Sequence, residues 1–235
     1  MTLPTVIAID GPAASGKSTV GRLLAQALAY TYLDTGSMYR ATTLAALQQG
    51  VDVNDEAAVT RLTQEIVIDV IPAGDEGDGR LYTVLLDAQA VTWALRSPEL
   101  DSQVSQVSSY AGVRQELVRR QRRFGERGGV VMIGRDIGTV VMPDAPLKLY
   151  ITASAEERAQ RRWQERQKQG HRAGYDSILA DVIRRDKIDS SREHAPLRPA
   201  DDAILIDTTG RPPETIVGEI LAFIRKEHLS VSSEQ

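Results

Sequence analysis

The feature that most constrains the fold is a glycine-rich segment near the start of the chain. An apolar run at 6–10 leads into the pattern G-x-x-x-x-G-K-S at 11–18, and an Ala- and Leu-rich stretch with helical spacing follows to Ala29. Glycine lets the backbone turn tightly and bring its N–H groups against a phosphate, and the start of a helix adds the positive end of its dipole. The order strand, loop, helix is the context that this motif requires, and it predicts a triphosphate site.

The side chains of this loop indicate how the triphosphate would be held. Lys17 is expected to reach the β- and γ-phosphates, and the hydroxyl of Ser18 to hold Mg²⁺. The alternative is a glycine-rich strand–helix connection with an incidental lysine, but the flanking strand and helix favour the nucleotide site. The predicted loop comprises Gly11, Pro12, Ala13, Ala14, Ser15, Gly16, Lys17, Ser18 and Thr19.

Length and composition limit the classes of protein that this chain can belong to. Its 235 residues suit one α/β domain with a small insert, and 42% apolar residues supply a core. The net charge of −4 gives no reason to expect nonspecific nucleic-acid binding. There is no cysteine, which fits a reducing cytosol. We expect a cytoplasmic protein, because no signal peptide precedes the first strand and no apolar stretch approaches the ~18 residues of a membrane helix.

Apolar runs alternate with helical patterns along most of the chain, which predicts a parallel sheet. Further strands are predicted at 30–33, 130–133, 147–151 and 203–207. The texture changes at 66–92, where runs at 66–71 and 81–86 flank a turn-rich segment, 74–79, and predict an inserted antiparallel hairpin. Helix starts are predicted at Asn54 or Asp55, Ser97, Ser154 (a capping box with Glu157), Asp176 and Pro212.

Two groups of polar residues follow predicted strands, where parallel sheets bind their ligands. Arg40 lies near the start of the helix after the strand at 30–33, where it could bind an anion, although a surface arginine beside a helix cap is equally compatible. Arg135 and Asp136 directly follow the all-apolar strand at 130–133. We favour a binding site over a structural ion pair for these two residues.

Arginines of the second half fall into three groups. Most of Arg119, Arg120, Arg122, Arg123 and Arg127 are expected on a solvated helix face, while Arg114 stands apart beside a predicted kink. Arg158, Arg161 and Arg162 share one helical face, and Arg185, Asp189 and Arg192 share another. Arginine suits a bidentate contact with phosphate and aspartate a sugar hydroxyl, so these groups fit phosphoryl transfer.

Taken together, these motifs resemble the bacterial-type cytidylate kinase family, in order and over nearly the whole chain. The stretches that carry the resemblance are 9–12, 16–19, 33–40, 105–107, 113–114, 134–139, 185–192, 195–197 and 206–209. The resemblance implies an α/β P-loop nucleoside monophosphate kinase fold, a parallel sheet wrapped by helices with a small antiparallel β insert and a helical lid. The implied single domain has a core (about 1–35, 110–153 and 195–228), a monophosphate-binding region with the insert (about 36–109) and a lid (about 154–194).

The resemblance further implies transfer of the γ-phosphoryl group of MgATP to CMP or dCMP. It makes Lys17, Arg135, Arg185 and Arg192 catalytic, and it assigns Arg158, Arg161 and Arg162 to ATP with residues 11–19. The implied acceptor contacts are Thr35 (a serine is common here), Tyr39, Arg40, Ser105, Arg114, Arg135, Asp136, Arg185, Asp189 and Arg192. Ser105, Arg114 and Asp136 would read the cytosine edge, and Asp189 the ribose. No nucleic-acid or membrane partner is expected, and the chain is expected to be a monomer.

Two other readings remain open at this point. The nearer one is a sister kinase with another acceptor, such as UMP, AMP, dTMP or shikimate. The other belongs to a different class, a noncatalytic P-loop switch. The cytosine-reading trio favours CMP, because the N4 amino group of cytosine is a donor from which Asp136 can accept.

Overall fold

The computed structural model describes residues 3–73, 78, 80, 82–168, 170, 174–192 and 195–231. The chain divides into two compact units, the first formed by Met1–Tyr30 with Arg127–Gln235 and the second by Thr31–Glu126. The strands are β1 (Val6–Asp10), β2 (Thr31–Asp34), β3 (Ile68–Pro72), β4 (Tyr82–Leu86), β5 (Gln89–Ala90), β6 (Val130–Gly134), β7 (Leu147–Thr152) and β8 (Ile204–Asp207). The helices are α1 (Lys17–Leu28), α2 (Gly36–Gln48), α3 (Glu56–Glu65), α4 (Pro98–Val107), α5 (Ala111–Glu126), α6 (Ala155–Lys168), α7 (Tyr175–Ser190) and α8 (Pro213–Val231), with a 3₁₀ turn at Ala94–Arg96 and a π-helix at Ile137–Val141.

The first unit is built on a parallel sheet in which its own strands lie in the order β6-β1-β7-β8. β1 and β6 are buried along their whole length, as expected for parallel strands covered on both faces. Ile9 is paired with Ile133 on one side and Leu149 on the other, so β1 is central. β8 is only half-buried. With the helices that alternate with these strands, the sheet confirms the predicted α/β class.

The second unit contains the predicted antiparallel insert. β3 and β4 pair with Val70 opposite Val84, which confirms the hairpin. The short strand β5 pairs with β4 and makes the sheet three-stranded, a strand that the sequence did not predict. The turn-rich segment predicted at 74–79 lies outside the described residues except for Asp78. Helices α3 and α5 pack so closely that a Cβ at Gly112 would lie only 2.4 Å from Cγ2 of Thr60.

Most predicted helix starts are found, and one is wrong. Asp55 accepts from Ala58 N at 2.9 Å and caps α3. Ser97 caps α4, and Ser154 Oγ accepts from Glu157 N at 3.1 Å ahead of α6. The reciprocal half of the predicted capping box is wrong, because Ser154 N donates to Thr209 Oγ1 and the Glu157 carboxylate accepts from Arg161. Asp176 is not a cap, because α7 begins one residue earlier and Asp176 lies inside its first turn. There the carboxylate still has a favourable interaction with the helix dipole.

The expected solvated face of α5 is wrong for Arg120. Its guanidinium donates to the carbonyl oxygens of Thr63 (2.7 Å) and Ile66 (2.8 Å), and its Nε contacts Glu116. Arg120 therefore satisfies carbonyls at the C-terminal end of α3, which have no partner inside that helix. Within the described chain, no helix combines the length and the apolar character needed to cross a membrane.

Candidate active site

The glycine-rich loop lies between β1 and α1, as predicted. A Cβ at Gly11 would lie 2.0 Å from the carbonyl oxygen of Ile151, so only glycine lets the loop leave β1 so close to β7. Ala14 and Gly16 also have positive φ, 59° and 90°. This backbone path turns the chain back over the start of α1, where unpaired N–H groups and the helix dipole favour an anion.

Three side chains define the chemistry of the loop. Lys17 is buried, and its Nζ donates to the carbonyl oxygen of Pro12 at 2.8 Å, so the ammonium is folded against the loop. Ser15 Oγ is buried and forms no hydrogen bond within the described residues. Ser18 is exposed in the first turn of α1, where its hydroxyl is accessible to a bound cation. The loop therefore carries one positive charge and two hydroxyl groups.

Thr208, directly after β8, forms hydrogen bonds with both this loop and Arg161 of α6. Its Oγ1 donates to the carbonyl oxygen of Ser15 at 2.8 Å and accepts from Nη1 of Arg161 at 3.0 Å. Nη2 of Arg161 donates to the Thr208 carbonyl at 2.8 Å. Nη1 of Arg161 also lies 3.3 Å from where a Cβ on Gly16 would stand. A side chain at position 16 would make a tight contact with this guanidinium and would be strained at a φ of +90°.

Arg158, one helical turn earlier, contacts the loop from the same helix. Its side chain is buried, its Nη1 lies 3.4 Å from the carbonyl oxygen of Ala13, and its Nε donates to Ala153 O. The same guanidinium forms a bidentate ion pair with Asp186 of α7. Two of the three predicted ATP arginines thus lie against the loop, while Arg162 is half-buried on the same helix.

In the first unit, Asp189 lies among three of the arginines that were predicted to surround the acceptor phosphate. Its carboxylate is only 1% exposed and contacts Arg135 Nε at 3.0 Å and Arg192 Nη2 at 2.6 Å. Burial opposes ionisation of Asp189, but the positive charges of Arg135, Arg192 and Arg185 outweigh it and lower the pKa of this carboxyl below its ordinary value. Asp189 therefore contacts two arginines and is stabilised as an anion by the charge of a third.

The shared helical face predicted for this group is wrong for Arg192. Helix α7 ends at Ser190, so Arg192 lies beyond it, and only Arg185 and Asp189 are on the helix. Arg192 reaches Asp189 because the chain turns after the helix and the ion pair closes that turn.

Arg135 and Asp136 follow β6 and directly precede the π-helix, which begins at Ile137. Asp136 is buried, and its carbonyl oxygen accepts from Val141 N at 3.1 Å in the i→i+5 pattern of this helix. The two carboxylate oxygens of Asp10, the last residue of β1, accept hydrogen bonds from the backbone N–H groups of Ile137 and Gly138, which begin the π-helix. Burial, opposed by these two hydrogen bonds, raises the pKa of Asp10 to about 6.

The second unit holds the remaining predicted acceptor residues in two clusters. Arg40 on α2 donates from Nη1 to the carbonyl oxygen of Leu95 (3.0 Å) and from Nη2 to Asp101 (2.6 Å). Arg114 is buried, with its Cζ 5.7 Å from the ring centroid of Tyr39, a cation–π distance. Its Nη1 donates to the carbonyl oxygen of Ser108.

Two further predicted acceptor residues are placed by helix ends in this unit. Thr35 is buried at the N-cap of α2, and Ser105 is half-buried on α4. Asp34 Oδ1 accepts from Gly36 N at 3.0 Å, so this carboxylate supports the turn into α2. Thr35 thus lies at the start of one helix of this unit and Ser105 near the end of another.

Sequence reasoning missed three residues that hold the site together: Asp10, Asp186 and Thr208. Thr208 could have been found, because it directly follows a strand of the parallel sheet. Asp10 and Asp186 lie inside stretches that carried the family resemblance, but nothing in their spacing identifies the groups that they contact.

A central parallel strand that runs through a glycine loop into a helix, with arginines gathered beside it, defines a P-loop phosphotransferase. The family model for cytidylate kinase matches residues 7–226. A cytidylate kinase of Bacillus pumilus is 52% identical over 215 residues, covering 92% of this chain and 93% of that protein. A cytidylate kinase of Herpetosiphon aurantiacus is 49% identical over 227 residues, covering 97% of each.

The chain therefore belongs to the cytidylate kinase family, and the resemblance expected from its motifs is confirmed. Among solved structures, an uncharacterized protein from Eubacterium ventriosum has a similar fold, with a TM-score of 0.50 at 14% identity over 95% of this chain and 99% of that one. That likeness concerns the fold alone.

Proposed function

We propose that the protein transfers the γ-phosphoryl group of MgATP to CMP or dCMP, giving ADP and CDP or dCDP. One observation carries the proposal. Arg135, Arg185 and Arg192 surround the buried Asp189 in the same unit as the nucleotide loop. Guanidinium groups gathered beside one carboxylate suit a site where charge spreads over several phosphate oxygens.

The donor half of the site is assigned to residues 11–19 with Arg158, Arg161 and Arg162. Lys17 would exchange its hydrogen bond with Pro12 O for the β- and γ-phosphates. The buried Ser15 Oγ, which has no hydrogen bond among the described residues, and the exposed hydroxyl of Ser18 fit a bound MgATP. Ser18 would hold Mg²⁺ together with the triphosphate. When bound, the ion neutralises charge on the phosphate oxygens.

Arg40 is proposed to contact the phosphate of the acceptor. A guanidinium has five N–H donors, and the two hydrogen bonds of Arg40 use one donor on each of Nη1 and Nη2. Three donors remain, enough for a bidentate contact with phosphate. Leu95 and Asp101 therefore orient this arginine without exhausting it.

The acceptor base is assigned to Ser105, Arg114 and Asp136, and the ribose to Asp189. Asp136 would accept from the N4 amino group of cytosine, which uracil and thymine lack. Arg114, packed over Tyr39, is held in a fixed orientation. No side chain is assigned as a strong general base, because phosphoryl transfer depends mainly on positioning and electrostatic stabilisation.

The direct test is a coupled ADP-release assay with CMP, dCMP, UMP, AMP, dTMP and shikimate as acceptors. We expect the highest kcat/KM with CMP or dCMP. A preference for AMP or for shikimate would contradict the assignment of the base-reading residues.

Arg192→Ala separates a kinase from a noncatalytic nucleotide switch. We expect ATP binding to persist while kcat falls at least about 100-fold, as is typical when a transition-state charge contact is lost. The matched control is Arg198→Ala, because Arg198 is an exposed arginine near Asp201. Equal kcat values for the two variants would contradict the role proposed for Arg192.

A further inference from the structure

Asp10 contacts the segment that follows β6 although 127 residues separate them in sequence. The residue is 4% exposed, its Oδ1 accepts from Ile137 N at 2.7 Å, and its Oδ2 accepts from Gly138 N at 2.7 Å. Ile137 and Gly138 begin the π-helix. The first N–H groups of a helix have no partner within it, so one carboxylate satisfies two donors and also complements the helix dipole.

The segment is a single π-helical turn with few hydrogen bonds of its own. Asp136 O accepts from Val140 N (2.9 Å) and Val141 N (3.1 Å), and Ile137 O accepts from Met142 N (2.7 Å). Such turns are rare and occur often at functional sites. A Cβ at Gly138 would make an ordinary contact with Asp10 Oδ2 (3.4 Å) and a tighter one with Cδ of Lys148 (3.2 Å).

We propose that Asp10 is a positioning residue for the acceptor. The two residues that precede its contacts are Arg135 and Asp136, so fixing the N–H groups of residues 137 and 138 fixes the backbone from which both side chains extend. Asp10 does not touch the acceptor in this proposal, and it acts through Arg135 and Asp136. The inference rests on the proposed function, which assigns those two residues to the monophosphate.

Asp10 directly precedes the nucleotide loop, where an uncompensated carboxylate would repel the triphosphate of ATP. Here both oxygens are occupied by hydrogen bonds, and the nearby ammonium of Lys17 offsets the charge of Asp10. Asp10 therefore belongs to the acceptor-side segment in its contacts, although it adjoins the donor loop in sequence.

Asp10→Asn tests the proposal, since an amide keeps one acceptor oxygen and turns an NH₂ group toward one of the two backbone donors. We expect KM for CMP to rise at least about 10-fold and KM for ATP to change less than about 2-fold. We also expect faster hydrogen exchange at the amides of Ile137 and Gly138 in the free protein. The matched control is Asp55→Asn, which makes the same change at another carboxylate that caps a helix N-terminus, and it should leave both KM values unchanged.

Two kinetic results would overturn the proposal. Unchanged KM for CMP in Asp10→Asn, with or without a lower melting temperature, would show a purely structural role. A rise confined to KM for ATP would place Asp10 with the donor loop instead.

If Asp10→Asn does not fold, Asp10→Glu tests the same contact, because it keeps the carboxylate but moves its oxygens away from the two N–H groups by the length of one methylene. It should also raise KM for CMP, and an unchanged value would overturn the proposal. Wild-type turnover of CMP in the same assay tests the proposed function separately. If the wild type turns over CMP and the variant has the wild-type KM for CMP, only the role proposed for Asp10 is refuted.

Discussion

Arg158 and Asp186 form a bidentate ion pair, with Nη1–Oδ1 at 2.9 Å and Nη2–Oδ2 at 2.5 Å. The pair is asymmetric in exposure, since the Arg158 side chain is 5% exposed and that of Asp186 is 32% exposed. Arg158 also contacts the carbonyl oxygens of Ala13 and Ala153. One buried guanidinium thus links α6, α7 and the nucleotide loop.

Removing the carboxylate should be costly because the buried partner keeps its charge. We expect Asp186→Asn to lower the free energy of unfolding by about 2–4 kcal/mol, the order seen when one member of a buried ion pair is deleted. Asp181→Asn is the matched control on the same helix. Its ion pair with Arg184 is exposed, 53% and 67% for the two side chains, and should contribute less than about 0.5 kcal/mol. Urea denaturation measures both, and equal losses would contradict a structural role for the Arg158 pair.

Gly11→Ala should disrupt the start of the nucleotide loop. The added Cβ would lie 2.0 Å from a backbone oxygen at a φ of +152°, so β1 and β7 would have to separate locally. We expect the free energy of unfolding to fall by about 3 kcal/mol or more. Gly218→Ala on α8 is the control, because its Cβ meets open space, and it should stabilise the protein by about 0.5–1 kcal/mol. Thermal unfolding of both variants checks these signs, and a Gly11→Ala protein as stable as wild type would refute the steric argument.

The Asp10 carboxyl should titrate in the folded, ligand-free protein near pH 6. Burial raises its pKa to about 6, against the hydrogen bonds from Gly138 and Ile137; the charge of Asp136 raises it further and Lys17 lowers it, and Tyr150 also lies near. Because the unfolded carboxyl ionises near pH 3.8, the folded state binds more protons between pH 4 and 6, and this group makes stability fall as pH rises through that window.

The amide resonances of Ile137 and Gly138 report this titration directly. We expect their chemical shifts to move with a midpoint near pH 6 in wild type and to lose that inflection in Asp10→Asn. Measurement without CMP matters, since a phosphate monoester also titrates near pH 6. Flat shifts between pH 5 and 7 in wild type would show that the two hydrogen bonds hold the pKa low.

Local patterns were enough to predict the class of fold. The apolar runs that became β1, β6 and β7 are buried along most of their length, and the change of texture at residue 66 marked the antiparallel insert. β5 was missed because its two exposed residues, Gln89 and Ala90, carry no strand pattern and depend on pairing with β4. The π-helix was missed because a single turn of five residues leaves no periodic apolar face in the sequence.

For the candidate site, the sequence predicted the residue types better than their contacts. Arg135, Arg185 and Arg192 were grouped with Asp189, and the structure brings these four together in one unit. The sequence did not predict that Asp186 would pair with Arg158, or that Thr208 would contact Ser15 across 193 residues of chain. Such contacts follow from how elements pack, which spacing along a single helix or strand does not encode. The roles assigned to these residues stay predictions until variants are measured.

The first unit is interrupted in sequence, and this shapes how it can form during synthesis. β1 is complete at Asp10, but its partners β6 and β7 begin at Val130 and Leu147. The second unit, Thr31–Glu126, is continuous and leaves the ribosome between them. At about 5–20 residues per second, the intervening chain takes on the order of ten seconds to translate. The strand that later becomes central therefore spends that interval without either of the strands with which it pairs.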